Sequence, residues 1–151
     1  MSGISNNEIK YLRSLSQKKF RDESGVFVVE GEKMVAEALK SGFEVEKVWR
    51  EEEIGTDVMA RITSLSSPSP ALAVVKKPGN VRLSDGKAVS EALGLRGLFL
   101  ALDTIRDPGN LGTILRTADA LQIPAVLLDG CAECYGVEIL AQTGEAQCYA
   151  G

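Results

Sequence analysis

Residues 98–129 read LFLALDTIRDPGNLGTILRTADALQIPAVLLD, and this stretch decides the architecture of the second half of the chain. Leu98-Phe99-Leu100-Ala101-Leu102 is a continuous apolar run, the pattern of a strand covered on both faces, and Asp103 ends it. A loop follows through Asp107-Pro108-Gly109, after which Asn110 can cap a helix running to about Leu121. At 3.6 residues per turn, Leu111, Ile114, Leu115, Ala118 and Leu121 share one arc of that helix. Asn110, Thr113, Arg116 and Thr117 share the opposite arc. Gln122-Ile123-Pro124 terminates it, and Ala125-Val126-Leu127-Leu128 returns as a second buried strand ending at Asp129-Gly130. Strand, loop, helix, strand is a crossover unit, so the two strands are expected to be parallel.

Upstream, strands and helices also alternate. A helix is expected from about Asn7 to Phe20, capped by Asn6 or Asn7, with Ile9, Leu12 and Leu15 as its apolar stripe. Arg21-Asp22-Glu23-Ser24-Gly25 then breaks it. Val26-Phe27-Val28-Val29 reads as a short buried strand ending at Glu30-Gly31. A helix from Glu32 to Lys40 turns Met34, Val35, Ala38 and Leu39 inward, and Val45 to Trp49 forms the next strand. A weaker helix from about Thr56 to Leu65 is stopped by Ser66-Ser67-Pro68-Ser69-Pro70, and Ala71 to Val75 is a third strand. The fold class is therefore α/β. A small α/β unit occupies residues 1–77, a Gly- and Pro-bearing linker residues 78–96, and a second unit with parallel strands residues 97–151.

Composition narrows the function. With 44% hydrophobic and 25% charged residues, the chain has ordinary globular values. No apolar run approaches the roughly 20 residues that span a bilayer, and the polar N-terminus lacks a signal-peptide core, so a cytoplasmic protein is expected. There is no histidine, which removes Ser-His and Cys-His nucleophilic machinery. The three cysteines Cys131, Cys134 and Cys148 fall short of the usual four-ligand zinc set and read as free thiols, with no metal expected. The net charge is −4, yet Lys10, Arg13, Lys18, Lys19 and Arg21 follow one another without an intervening acid. On charge alone that stretch is either a solvated helix face or a phosphate-binding patch.

The segment DPGNLGTILR, Asp107 to Arg116, is the richest in chemistry. A Pro-Gly turn opens a helix whose positive dipole end faces the space beyond a parallel strand, where ligands of open α/β sheets bind. An ordinary surface turn with an N-cap accounts for the same residues equally well.

Ala101 to Leu121, ALDTIRDPGNLGTILRTADAL, resembles the first signature motif of the SpoU/TrmH methyltransferases, within the knotted SPOUT superfamily. Ile9 to Leu39 is similar, in the family's order, to the substrate-binding domain that precedes the catalytic domain, a fold shared with certain RNA-binding ribosomal proteins. Lys18-Lys19-Phe20-Arg21, Gly25-Val26-Phe27 and Glu30-Gly31 carry that second likeness. The resemblance implies methyl transfer from S-adenosylmethionine to a ribose 2'-hydroxyl of ribosomal or transfer RNA by a homodimer. It implies Asn110 and Arg116 as catalytic-site residues. Lys18, Lys19 and Arg21 become RNA-binding candidates, and Glu30 matches a motif position whose role is either RNA contact or closing the strand-to-helix turn.

The resemblance is followed to about Tyr135-Gly136. Val137 to Gly151 reads as a polar tail in place of the family's knot-forming motifs, so an incomplete S-adenosylmethionine site and an apolar sheet left partly open are expected. A non-catalytic RNA-binding module is the alternative reading. A metabolic α/β enzyme using Asp103 and Asp129 is a third, and it accounts for neither likeness.

Overall fold

The computed structural model describes residues 3–77, 98, 100–123, 126–135 and 148–150. The linker expected at 78–96 lies outside the described residues. On either side of it stand two three-stranded sheets of opposite character.

The first helix is α1 (Asn6–Ser14), and the expected single helix to Phe20 is instead two, with α2 at Lys18–Ser24. The break has a local cause. The Ser14 and Ser16 hydroxyls donate back to the carbonyls of Tyr11 and Arg13, competing with continuation of the helix. The cap of α1 is Ser5 rather than Asn6 or Asn7: its hydroxyl accepts from the Glu8 N–H while the Glu8 carboxylate accepts from the Ser5 N–H. That reciprocal pair is a capping box. Arg21–Ser24, expected as a breaker, belongs to α2, and Gly25 ends it at φ 68°. There a side chain would strain the backbone.

Strand β1 (Val26–Glu30), helix α3 (Glu32–Lys40), strand β2 (Val45–Arg50), the short helix α4 (Glu51–Ile54), helix α5 (Thr56–Ile62) and strand β3 (Ala71–Lys76) complete this unit. Its sheet runs β1-β3-β2, antiparallel throughout. Alternate residues on β1 and β3 feed two cores. Val26, Val28, Leu72 and Val74 pack against Ile9, Leu12 and Leu15 from α1 and its end, with Met59 and Ile62 from α5. Phe27, Val29, Ala71, Ala73 and Val75 pack against Val35 and Ala38 of α3. Helices therefore cover both faces of the sheet. Leu39 departs from expectation: it lies on the outer side of α3 and is 55% exposed.

The second sheet is the expected crossover. Strand β4 (Leu100–Asp103) pairs in parallel with β5 (Val126–Asp129), in register Leu100↔Val126 through Asp103↔Asp129. Helix α6 (Pro108–Ala120) lies between them in sequence. Leu111, Leu115 and Ala118 pack against Val126 and Leu128. Leu121, expected inward, is 69% exposed, because the helix ends at Ala120 with Gln122 in the left-handed region at φ 55°. Ile123 N–H then bonds Ala118 O and Gln122 N–H bonds Asp119 O, the two bonds of a Schellman ending.

Two expectations change here. Ala101 and Asp103 on β4 are exposed while Leu100 and Leu102 are half-buried, so the strand is covered on one side only among the described residues. Second, the tail contributes structure: β6 (Cys148–Ala150) pairs in parallel with β5, Val126↔Cys148 to Leu128↔Ala150. Residues 136–147 lie outside the described residues.

Glu8 also receives Lys47 Nζ at 2.6 Å, and this contact with the capping box holds its carboxyl down to about 2 from an ordinary 4.5. A depressed acid stabilises the fold above its unfolded value and loses that contribution as pH falls through the folded one. Glu8→Gln is therefore expected to melt below the wild type near neutral pH, with the gap closing between about pH 4.5 and 2. Parallel calorimetric scans across that window check it, and a gap that persists at the acid end contradicts it.

Candidate functional site

The segment from Asp107 leaves from the carboxyl end of β4, and Arg116 lies further along α6. Asp107, not Asn110, is the N-cap of α6: its Oδ2 accepts from the Asn110 N–H at 2.7 Å, with Pro108 in the first turn. Proline is suited to that position because its missing N–H is one that the helix leaves unbonded anyway. Asn110 is thus in the first turn, with an exposed side chain. Thr113, Arg116 and Thr117 are exposed on the same polar side, whereas Leu111, Gly112 and Leu115 are buried beneath it. The Thr113 and Thr117 hydroxyls donate to the carbonyls of Gly109 and Thr113. This leaves an asparagine and an arginine six residues apart on a polar face.

The strand ends add a second set of groups. Asp103 and Asp129 stand opposite each other in the register and are exposed. Between them Thr104 takes φ 58°, a conformation that β-branched residues rarely adopt. It is held by its N–H to Asp129 O at 2.8 Å and by its hydroxyl to Asp103 Oδ1 at 2.6 Å. Gly130, at φ 59°, passes close beneath: a Cβ there would lie 3.5 Å from Thr104 Oγ1. Strain of this kind at a strand terminus is characteristic of functional loops. Nothing in the sequence reading singled out Thr104; a positive φ at a threonine leaves no compositional signature.

The front-unit candidates divide. Lys18 and Lys19 are exposed on α2, in ion pairs with Asp22 and Glu23 one turn on. Arg21 is buried, 6% exposed, and faces inward. Its Nη1 donates to Leu15 O at 2.7 Å, and its Nη2 lies 2.5 Å from Glu133 Oε2. Glu30, also 6% exposed, accepts from the Ser64 N–H at 2.8 Å and from the Thr63 hydroxyl. It secures the loop after α5 rather than the strand-to-helix turn. The carboxylate is satisfied by neutral donors, so its partners are structural.

The Cys131 thiol donates to Leu102 O at 3.3 Å and Cys134 is buried, and no cluster with the makings of a metal site occurs among the described residues. Nor is any helix among them long and apolar enough to cross a membrane.

With this geometry in place, similarity to known proteins becomes interpretable. Residues 6–76 match the family model described as the MRM3-like substrate binding domain. Across 89% of its length the chain is 31% identical to the Bacillus subtilis 23S rRNA (guanosine(2553)-2'-O)-methyltransferase RlmP, covering 56% of that protein. A solved TrmH-family RNA methyltransferase structure from Porphyromonas gingivalis superposes with TM-score 0.81 at 31% identity, over 98% of this chain and 63% of that one. Over most of its length the chain is therefore similar to RNA methyltransferases of the TrmH family. An AdoMet-bound rRNA methyltransferase from Sinorhizobium meliloti aligns equally well, TM-score 0.81 at 27% identity, over 99% of this chain and 64% of that one. The chain therefore spans between half and two-thirds of the length of these relatives.

The change of cap has a measurable consequence. Asp107→Ala should cost about 1 kcal/mol of stability, the usual worth of an N-cap carboxylate, while Asn110→Ala should change it by less than about 0.5 kcal/mol. Urea unfolding of both variants tests the assignment, and equal losses would contradict it.

Proposed function

We propose that this chain carries the RNA-binding unit and the ribose-facing edge of an S-adenosylmethionine-dependent RNA ribose 2'-O-methyltransferase. The observation that carries the proposal is the exposed polar side of α6, Asn110 to Arg116, on a helix that starts at the carboxyl end of a parallel strand pair. The names of the relatives point to ribosomal RNA, and AdoMet bound in one neighbour supports the cofactor. When bound, S-adenosylmethionine supplies the electrophilic methyl group. Asp103 and Asp129 at the strand ends are opposite in sign to its positive charge.

Methyl transfer to a ribose requires the 2'-oxygen to shed its proton and develop negative charge. Arg116 is the group suited to that charge. A guanidinium stays protonated in proteins, so it serves by gripping an adjacent phosphate and stabilising the alkoxide rather than as a base. Asn110, one and a half turns away, orders the loop edge or contacts a second subunit. A homodimer fits the exposure of Leu98 (73%) and Leu121 (69%), apolar groups that a partner surface can cover. Cytoplasmic placement follows the bacterial relative; other relatives are mitochondrial. A non-catalytic RNA-binding role is the second reading, favoured by the double-sided core of the front unit beside a half-covered β4.

The deciding assay extends this chain with the C-terminal segment of the Bacillus relative and measures methyl transfer to ribosomal RNA. Activity is expected, falling by about 10²- to 10³-fold on Arg116→Ala, the usual loss for one transition-state donor. Activity indifferent to that change sinks the site, and RNA binding without any transfer favours the second reading. Separately, Lys18→Ala and Lys19→Ala should each weaken RNA binding regardless of sequence and reduce the salt slope by about 1. Anisotropy titrations at several salt concentrations read this directly, and an unchanged slope removes the two lysines from the interface.

A further inference from the structure

The two units meet through a small ionic cluster that the proposed chemistry does not use. Arg21 is anchored at one end, where Nη1 donates to Leu15 O at 2.7 Å, the carbonyl that α1 leaves open. Its remaining edge points at the second unit. Nε and Nη2 meet Glu133 Oε1 and Oε2 at 3.4 and 2.5 Å. Lys77 Nζ lies 3.3 Å from the same carboxylate and 2.8 Å from Asp22 Oδ1. Lys18 reaches Asp22 at 2.5 Å. Beside the cluster the Tyr135 ring rests on Phe27, centroids 5.0 Å apart, with Lys77 Nζ 5.2 Å from the tyrosine centroid.

Without Glu133, the front unit presents Arg21, Lys77 and Lys18 against the single carboxylate of Asp22. A guanidinium pinned at one nitrogen with its fork free is preorganised for any planar or tetrahedral oxyanion, carboxylate and phosphate alike. Glu133 brings a carboxylate from the other unit into that fork. Contacts between units of a chain are typically small and polar enough to open, and replacing one anion by another keeps the arginine paired. We propose that Arg21, Lys77 and Lys18 form an anion receptor that Glu133 occupies in the closed arrangement and that an RNA phosphate takes over. RNA capture by the front unit then frees residues 131–135, which follow β5 at the strand ends. The inference rests on RNA being the ligand of the front unit.

The test measures binding of fluorescent oligouridine by anisotropy. Glu133→Gln is expected to bind about tenfold tighter, within the range usual for coupled sites. The charge-matched control Glu53→Gln, on exposed α4, should change affinity less than about twofold, and Glu133→Asp should stay near wild type. Adding Lys77→Met to Glu133→Gln should remove the gain. Small-angle scattering without RNA should show a larger radius of gyration for Glu133→Gln, marking separated units. Equal affinities for Glu133→Gln and Glu53→Gln, or a gain that survives loss of Lys77, overturn the receptor alone. Absence of RNA binding by every variant overturns the RNA-binding reading as well.

Discussion

Parallel pairing of β4 with β5 is the constraint from which the site follows. Two adjacent parallel strands must be joined by a crossover, and a right-handed crossover returns over one face of the sheet. The loop into α6 must therefore leave from the carboxyl end of β4 and open the helix there. Register fixes the rest: with Asp103 opposite Asp129, both carboxylates, the strained Thr104 and the Gly130 turn come to one rim. Leu111, Leu115 and Ala118 clamp α6 onto Val126 and Leu128, which turns Asn110, Thr113 and Arg116 outward. Slippage by one residue would put the aspartates on the opposite face and dissolve the arrangement.

The front unit solves a different problem. Its central strand β3 is bonded on both edges and buried on both faces, so its five buried residues from Ala71 to Val75 tie two cores together. Lys18 and Lys19 project from a short helix docked on this well-packed sheet. Charge is distributed to match. Glu8, Glu32 and Glu44 are taken up by Lys47, Arg50 and Lys76, as exposed pairs that contribute little stability individually. The junction cluster differs because Arg21, Lys77 and Glu133 are shielded from water, where pairing is obligatory and its loss costly.

Family likeness and local geometry support each other from opposite directions. The likeness to TrmH-family methyltransferases explains why a Pro-Gly turn and an arginine-bearing helix edge accompany a unit that matches a substrate binding domain. Geometry in turn restricts how each residue can contribute. Asn110 is no cap, Glu30 is engaged by Thr63 and Ser64, and Arg21 serves the junction in the closed arrangement. A motif assigns residues to a site by position; only packing decides which of them face a ligand.

Periodicity by itself determined the alternation of strands and helices, the parallel crossover and the inward stripe of α6. These depend on local apolar spacing, which tertiary contacts here reinforce. Sequence also located the polar edge from Asn110 to Thr117, because an amphipathic helix has only one face to bury. The split of the first helix, the cap at Asp107 and the left-handed Thr104 escaped it, since each turns on hydrogen bonds between side chain and backbone that compete closely in energy. The strand at Cys148 escaped for another reason: three residues carry too little pattern until β5 offers an edge to pair with. Least legible was the fate of Arg21. A basic residue among basic neighbours reads as surface, and only the fold brings Glu133, 112 positions away, into reach of its guanidinium.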